Sequence, residues 1–172
     1  MSKNKRKLMA DMVDKSLSKR VEAIKRKKIA SEKVVDLAEF RESRTEPETH
    51  TILVVDDDET MRNAIKRILE GEKFNVIVAQ DGIELSKILE STGLDMVLLD
   101  VNLPWVDGYE LCKLIKSHYT LKDVPLVFVS ARKTEEDIKL GFAAGADDYI
   151  AKPFEVEHMV ELINKMLYKK SS

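Results

Sequence analysis

Residues able to do chemistry stand where short apolar runs end. Asp56, Asp57 and Asp58 follow TILVV, Asp100 follows DMVLL, Ser130 follows PLVFV and Lys152 follows DYIA. If the first and third runs lie side by side, Asp56, Asp57 and Asp100 meet at one edge. Like charges packed together repel unless a proton or a cation intervenes. Mg²⁺ is the economical answer: it prefers oxygen ligands and keeps several waters, so two carboxylates, a backbone carbonyl and waters would satisfy it. A carboxylate such as Asp100 can attack phosphorus, while a hydroxyl and an ammonium can stabilise the oxygens of the transferred group. Taken singly, the residues have plainer explanations: Asp58 reads as a helix N-cap, Glu59 as a dipole-balancing first-turn residue, and Ser130 or Lys152 alone as ordinary. Their joint occurrence at four strand ends points to phosphoryl transfer.

The elements that must position these groups follow from periodicity. The apolar runs Thr51–Val55, Phe74–Val78, Asp95–Leu99, Pro125–Val129 and Asp148–Ala151 are short, mostly β-branched and apolar on both parities, which predicts strands covered on both faces. Between them lie amphipathic stretches. Met61, Ala64, Ile65, Ile68 and Leu69 give the first helix an apolar face, with Gly71 as its stop, and Val156, Met159, Val160, Ile163 and Leu167 do the same for the last. Ile83–Ser91, Gly108–Ser117 and Glu135–Ala144 supply the others. Strands alternating with helices imply a parallel sheet with right-handed crossovers and helices on both faces. In such sheets ligands bind beyond the carboxyl ends of the strands, where strand order reverses.

Composition bounds what else the chain does. Its 172 residues are 44% hydrophobic and 35% charged, a globular composition whose charge exceeds the usual share of about 25%. No apolar run approaches the roughly 18 residues of a membrane span, and the N-terminus MSKNKRKLMADMVDK lacks an apolar signal core. The single cysteine, Cys112, excludes an internal disulfide, and three scattered histidines leave no zinc cluster. A cytoplasmic location is the expectation. Residues 1–50 hold 14 Lys/Arg against 9 Asp/Glu, whereas residues 51–172 hold 15 against 22. A basic arm thus precedes an acidic body. Residues 1–48 read as a partly helical or disordered extension ending in the linker SRTEPETH, and 49–172 as the folded unit. In the arm, Leu17, Val21 and Ile24 share a helical face, and Val34, Val35, Leu37 and Ala38 form a second apolar patch. Scarce aromatic residues argue against nucleic acid, and the acids from Glu32 to Glu48 argue against membrane association, so a protein partner is preferred. Cys112 falls on the apolar face of the third helix and reads as packing. Trp105 reads equally as an exposed contact or as a cover for its loop.

The segments ILVVDDDE (52–59), MVLLDVNLPWVDGYEL (96–111), VPLVFVSA (124–131) and GADDYIAKPF (145–154) resemble, in order and spacing, a response-regulator receiver domain of two-component signalling. The resemblance covers residues 50–170 and implies an α/β, flavodoxin-like doubly wound five-stranded sheet in the order 2-1-3-4-5. It implies that Asp100 is the phosphoacceptor and that Asp56, Asp57, Asp100 and the Asn102 backbone carbonyl hold Mg²⁺. Ser130 would be the switch hydroxyl, Lys152 the site lysine ahead of a cis bond to Pro153, and Tyr149 the switch aromatic that turns inward on phosphorylation. Asn102 and Arg132 would border the hydrolytic water and set phosphoryl lifetime, Asn102 by orienting it and Arg132 by shielding the phosphoryl group. Gly108 would permit a tight turn after Pro104, and Gly145 the entry to the fifth strand. The implied partners are a sensor histidine kinase or phosphotransfer protein and an unidentified downstream protein. The latter would read the face of the fourth helix, fifth strand and fifth helix. The chain would be a monomer or a weak phosphorylation-dependent dimer, with no attached output domain. It would be a self-phosphorylating switch with slow autodephosphorylation rather than a turnover enzyme. The rival reading is a haloacid-dehalogenase-like phosphatase with Asp56 as nucleophile, since ILVVDDDET fits that family's Asp-x-Asp-x-Thr; its acidic pair Asp147-Asp148 stands before Lys152 instead of after it, and Asp100 has no role in it.

Overall fold

A computed structural model describes residues 49–91 and 93–168; the expectations for the arm, residues 1–48, lie outside the described residues. The chain runs β1 (Thr51–Val55), α1 (Glu59–Gly71), β2 (Asn75–Ala79), α2 (Gly82–Ser91), β3 (Met96–Leu99), α3 (Gly108–Ser117), β4 (Leu126–Ser130), α4 (Glu135–Ala143), β5 (Asp148–Ala151) and α5 (Val156–Tyr168). The sheet has the order β2-β1-β3-β4-β5 and every pair is parallel. This is the doubly wound fold expected from the sequence.

Strand parity explains the two layers. Leu53, Val55, Val97, Leu99, Leu126 and Phe128 turn to one face, where they meet Leu85 and Leu89 of α2 and Leu111, Cys112 and Ile115 of α3. Ile52, Val54, Met96, Leu98, Val127 and Val129 turn to the other, against Ile65 and Leu69 of α1 and Met159, Ile163 and Leu167 of α5. Each such fully buried aliphatic side chain contributes about 1.5–3 kcal/mol, so the central strands hold the frame on which the loops stand. Among the described residues, no helix is long and apolar enough to cross a membrane.

Local details depart from periodicity. Gly71 does not stop α1; it is the last helical residue, and the left-handed turn falls on Lys73 at φ 68°. There the Lys73 N–H donates to the Glu70 carbonyl and the Phe74 N–H to the Leu69 carbonyl. Burying Phe74 ahead of β2 offsets the roughly 1–2 kcal/mol of left-handed strain. Ala64 is exposed, and Val156 stays 41% exposed, so the buried stripes are narrower than their apolar faces. Gly145, at φ +99°, does make the left-handed turn that leads into β5.

Candidate functional site

Sheet register brings the acidic residues together. Val55 of β1 pairs with Leu99 of β3, so Asp56 and Asp100 leave the sheet side by side; the Asp100 N–H donates to the Val55 carbonyl at 2.9 Å and the Asp56 N–H to the Ala79 carbonyl at 3.3 Å. At the neighbouring edge Ser130 pairs with Ala151, and the Lys152 N–H donates to the Ser130 carbonyl at 2.8 Å. Ser130 is the last residue of β4 rather than the first beyond it. The Lys152–Pro153 peptide is cis, as the resemblance implied.

Lys152 joins the two carboxylates. Its Nζ donates to Asp56 Oδ2 at 2.7 Å and to Asp100 Oδ1 at 3.4 Å. The remaining oxygens are held by backbone: Asp58 N–H donates to Asp56 Oδ1 and Asn102 N–H to Asp100 Oδ2, each at 2.8 Å. Both aspartates are buried, and burial pushes the Asp56 carboxyl above its ordinary value; the Lys152 hydrogen bond and the Asp58 N–H oppose that push, while the charge of Asp100 adds to it.

Asp57 stands exposed beside them, and among the described residues no three His, Cys, Asp or Glu side chains form a ready metal-holding cluster. Asp56 and Asp100 thus share the Lys152 ammonium, while Asp57, next in sequence to Asp56, faces solvent. This donor set still fits Mg²⁺, because two buried carboxylates share one ammonium, and this ion keeps several waters instead of requiring an all-protein cage.

Above the carboxylates, two loops are tied together. Arg132 Nε donates to Asn102 Oδ1 at 2.8 Å, its Nη1 lies 3.8 Å from Asp137 Oδ1, and its guanidinium sits over the Tyr109 ring at 5.9 Å. The two residues expected to act oppositely on hydrolysis are thus bonded to each other, and Asn102 spends its acceptor oxygen on Arg132. Asp137 closes a capping box with Thr134 at the start of α4; the Thr134 hydroxyl holds its carboxyl below the usual range.

Ser130 is fully buried, and its hydroxyl accepts the Arg132 N–H at 3.4 Å. Tyr149 is half-buried and packs against the core. Its hydroxyl donates to the Arg132 carbonyl at 2.8 Å, and its ring lies 5.7 Å from that of Phe128. A Cβ on Gly141 would come within 2.9 Å of the ring, so this glycine gives the tyrosine its seat. Burial raises the Tyr149 hydroxyl above its ordinary pKa.

Gly108 has a stricter reason than turn geometry: a Cβ there would lie 2.6 Å from the Asp100 carbonyl oxygen. Only glycine lets α3 start against the loop that carries the candidate nucleophile. Asp58 is the N-cap of α1 as read from sequence, accepting the Thr60 and Met61 N–H groups. Trp105 is a cover: it is 2% exposed, and its Nε1 donates to the Gln80 carbonyl at 3.3 Å. Cys112 is fully buried, its thiol pushed up to about 11 by desolvation.

Sequence reasoning missed Arg62 and Tyr109. Arg62 is 7% exposed, and its Nη1 donates to the Asp56 carbonyl at 2.8 Å. The signal was available, since Arg62, Ile65 and Leu69 fall at i, i+3 and i+7 on the buried side of α1. The Tyr109 hydroxyl donates to the Asp137 carbonyl at 3.1 Å, linking α3 to α4.

Comparison with known proteins bears on all of this geometry. Residues 52–164 match the family described as the response regulator receiver domain. The response regulator MprA of Mycobacterium sp. (strain KMS) is 38% identical over 120 residues, which cover 70% of this chain and 51% of MprA. MprA of Mycolicibacterium vanbaalenii is 39% identical over 116 residues, 67% of this chain and 49% of the relative. The chain spans about half the length of the curated relatives it matches. A response regulator from Thermotoga maritima is similar in structure with a TM-score of 0.63 at 31% identity, over 69% of this chain and 98% of that one. The receiver domain of the sensor histidine kinase PA1611 from Pseudomonas aeruginosa gives a TM-score of 0.63 at 27% identity, over 69% and 98%, and has a magnesium ion coordinated in its active-site cleft.

Proposed function

Since the chain belongs to the response regulator receiver domain family, we propose that residues 49–172 are a phosphorylation-dependent signalling switch whose phosphoacceptor is Asp100. The observation that carries this reading is the single Lys152 ammonium shared by the buried Asp56 and Asp100 carboxylates, at 2.7 and 3.4 Å. An Asp100 oxygen attacks the phosphorus of a phosphohistidine on a sensor kinase or phosphotransfer protein. The new O–P bond forms as the N–P bond breaks, and the imidazole nitrogen keeps the electron pair and takes a proton. Lys152 offsets charge on the transferred oxygens. Asp56, Asp57, Asp100 and the Asn102 carbonyl would hold Mg²⁺, which supplies further charge neutralisation at those oxygens when bound. Asp100 serves better than Asp56 as nucleophile, because Asp56 takes the shorter Lys152 bond and its carbonyl is held by Arg62.

The phosphoryl group then draws the Ser130 hydroxyl away from the Arg132 N–H and loosens the loop that carries the carbonyl bound by Tyr149. The face formed by α4, β5 and α5 changes and a downstream protein reads it. The test is labelling with a small acyl-phosphate donor and Mg²⁺. The native chain should take up one hydroxylamine-labile phosphoryl group, Asp100→Asn should take up none, and Ser130→Ala should be labelled yet fail to change its partner's affinity. Labelling that survives in Asp100→Asn but vanishes in Asp56→Asn would favour the dehalogenase-like mechanism and overturn the proposal.

A further inference from the structure

Arg62 is a cation held almost wholly out of water, yet both oxygens it binds are neutral. Its Nη1 donates to the backbone carbonyl of Asp56 at 2.8 Å, and its Nη2 donates to Gln80 Oε1 at 3.4 Å. Gln80 lies just beyond β2, and its own backbone carbonyl accepts Trp105 Nε1 at 3.3 Å. Glu84 fixes the orientation of Gln80 from the first turn of α2, accepting its backbone N–H at 3.0 Å and its side-chain Nε2–H at 3.1 Å. A guanidinium is suited to this task, because its planar donors engage two acceptors in one fixed geometry.

These bonds form one path. It starts at the residue carrying the first site carboxylate, passes through α1 and the β2–α2 turn, and ends on Trp105, in the loop that also carries Asp100 and Asn102. The path also crosses from one helical layer to the other, since Ile65 of α1 packs in one core and Trp105 in the opposite one. We propose that Arg62, Gln80 and Trp105 form a bracket that sets the spacing between the Asp56 and Asp100 loops, making Arg62 and Gln80 positioning residues for divalent-cation binding. The proposal rests on the reading that this acidic site takes Mg²⁺. A cation bridging two carboxylates from different loops gains most when the loops already stand at the bridging distance, because no binding free energy is then spent on bringing them together.

Gln80 is the better probe because it is exposed and its loss leaves the core intact. Trp105, the only tryptophan of the chain, reports on the bracket by its emission. The experiment titrates the full chain with Mg²⁺ alone, read by Trp105 fluorescence and by calorimetry. Gln80→Leu should weaken Mg²⁺ binding about tenfold, the lower end expected for loss of an outer-sphere partner, with an unchanged melting temperature in the cation-free chain. Arg62→Lys should fall between native and Arg62→Met in affinity, since an ammonium retains the charge but not the fork. Native affinity in Gln80→Leu overturns the bracket alone. A native chain that takes up no Mg²⁺ by either readout overturns the reading of the site, and the bracket with it.

Discussion

Lys152 and Lys116 reach aspartates at opposite ends of the same sheet, equally sheltered at 14% and 15% side-chain exposure. At the amino ends of the strands, Lys116 donates to the Val124 carbonyl at 2.8 Å, the Lys122 carbonyl at 3.4 Å and Asp147 Oδ2 at 2.5 Å. The same Asp147 oxygen accepts the Leu126 N–H at 2.8 Å. An ammonium has three donors, and here each has an acceptor. The charges match one to one and the cluster is complete. At the carboxyl ends, one ammonium serves two buried carboxylates, and burial holds the Asp56 carboxyl above its ordinary range. The first arrangement closes a strand end. The second keeps an excess of negative charge that a cation or a phosphoryl acceptor role can use, and the fold tolerates it because the sheet beneath is fully packed.

Exchanging the two lysines for an apolar residue of similar length should separate these roles most sharply. Lys152→Met should lower the labelling rate of Asp100 by about 100-fold or more, while its urea midpoint shifts little, because each carboxylate keeps its backbone N–H donor, from Asp58 and Asn102. Lys116→Met should do the reverse: unbonded carbonyls and an unpaired Asp147 cost about 1–3 kcal/mol in urea unfolding, with labelling unchanged below the transition. If both variants move the same quantity, the comparison fails.

A smaller effect is expected where the site meets the surface. Arg132→Ala frees the Asn102 side-chain oxygen to orient a water and removes the guanidinium that would shield the phosphoryl group. The lifetime of phosphorylated Asp100, followed by decay of the label, should shorten by about fivefold, as loss of one charge-assisted bond allows. A native lifetime would remove Arg132 from the hydrolytic step.

The smallest effects are in pH dependence, where two aspartates should act with opposite signs. The Asp56 pKa is raised on folding by burial, so its protonated form is favoured in the folded chain. Without added cation, its contribution is present below the unfolded pKa and is lost as pH rises through the folded one. The Asp137 pKa is lowered, first by the Thr134 hydroxyl. Its contribution is present above the unfolded pKa and is lost as pH falls through the folded value. Urea midpoints measured across the carboxylate range should therefore lose a falling segment in Asp56→Asn and a rising one in Asp137→Asn. Profiles of unchanged slope in either variant would contradict the corresponding shift.

Alternation of apolar runs with helical spacing was enough to order the elements, because a buried parallel sheet admits few sequence patterns and one handedness of crossover. The chemistry-bearing positions were legible for the same reason: Asp56, Asp100 and Lys152 follow strands, and register brings strand ends to one edge of the sheet. Bonds between residues distant in sequence were not legible. Nothing in the spacing joined Arg132 to Asn102 or Arg62 to Gln80, and the seat of the Tyr149 ring depends on the missing Cβ of Gly141. Gly71 misled because a helix stop depends on where the chain must go next, and burying Phe74 placed the left-handed turn on Lys73. Local pattern determined which residues reach the carboxyl edge of the sheet. Tertiary packing decided which carboxylates share a lysine and which side chains lock the loops around them, because those contacts depend on loop paths that no short-range periodicity encodes.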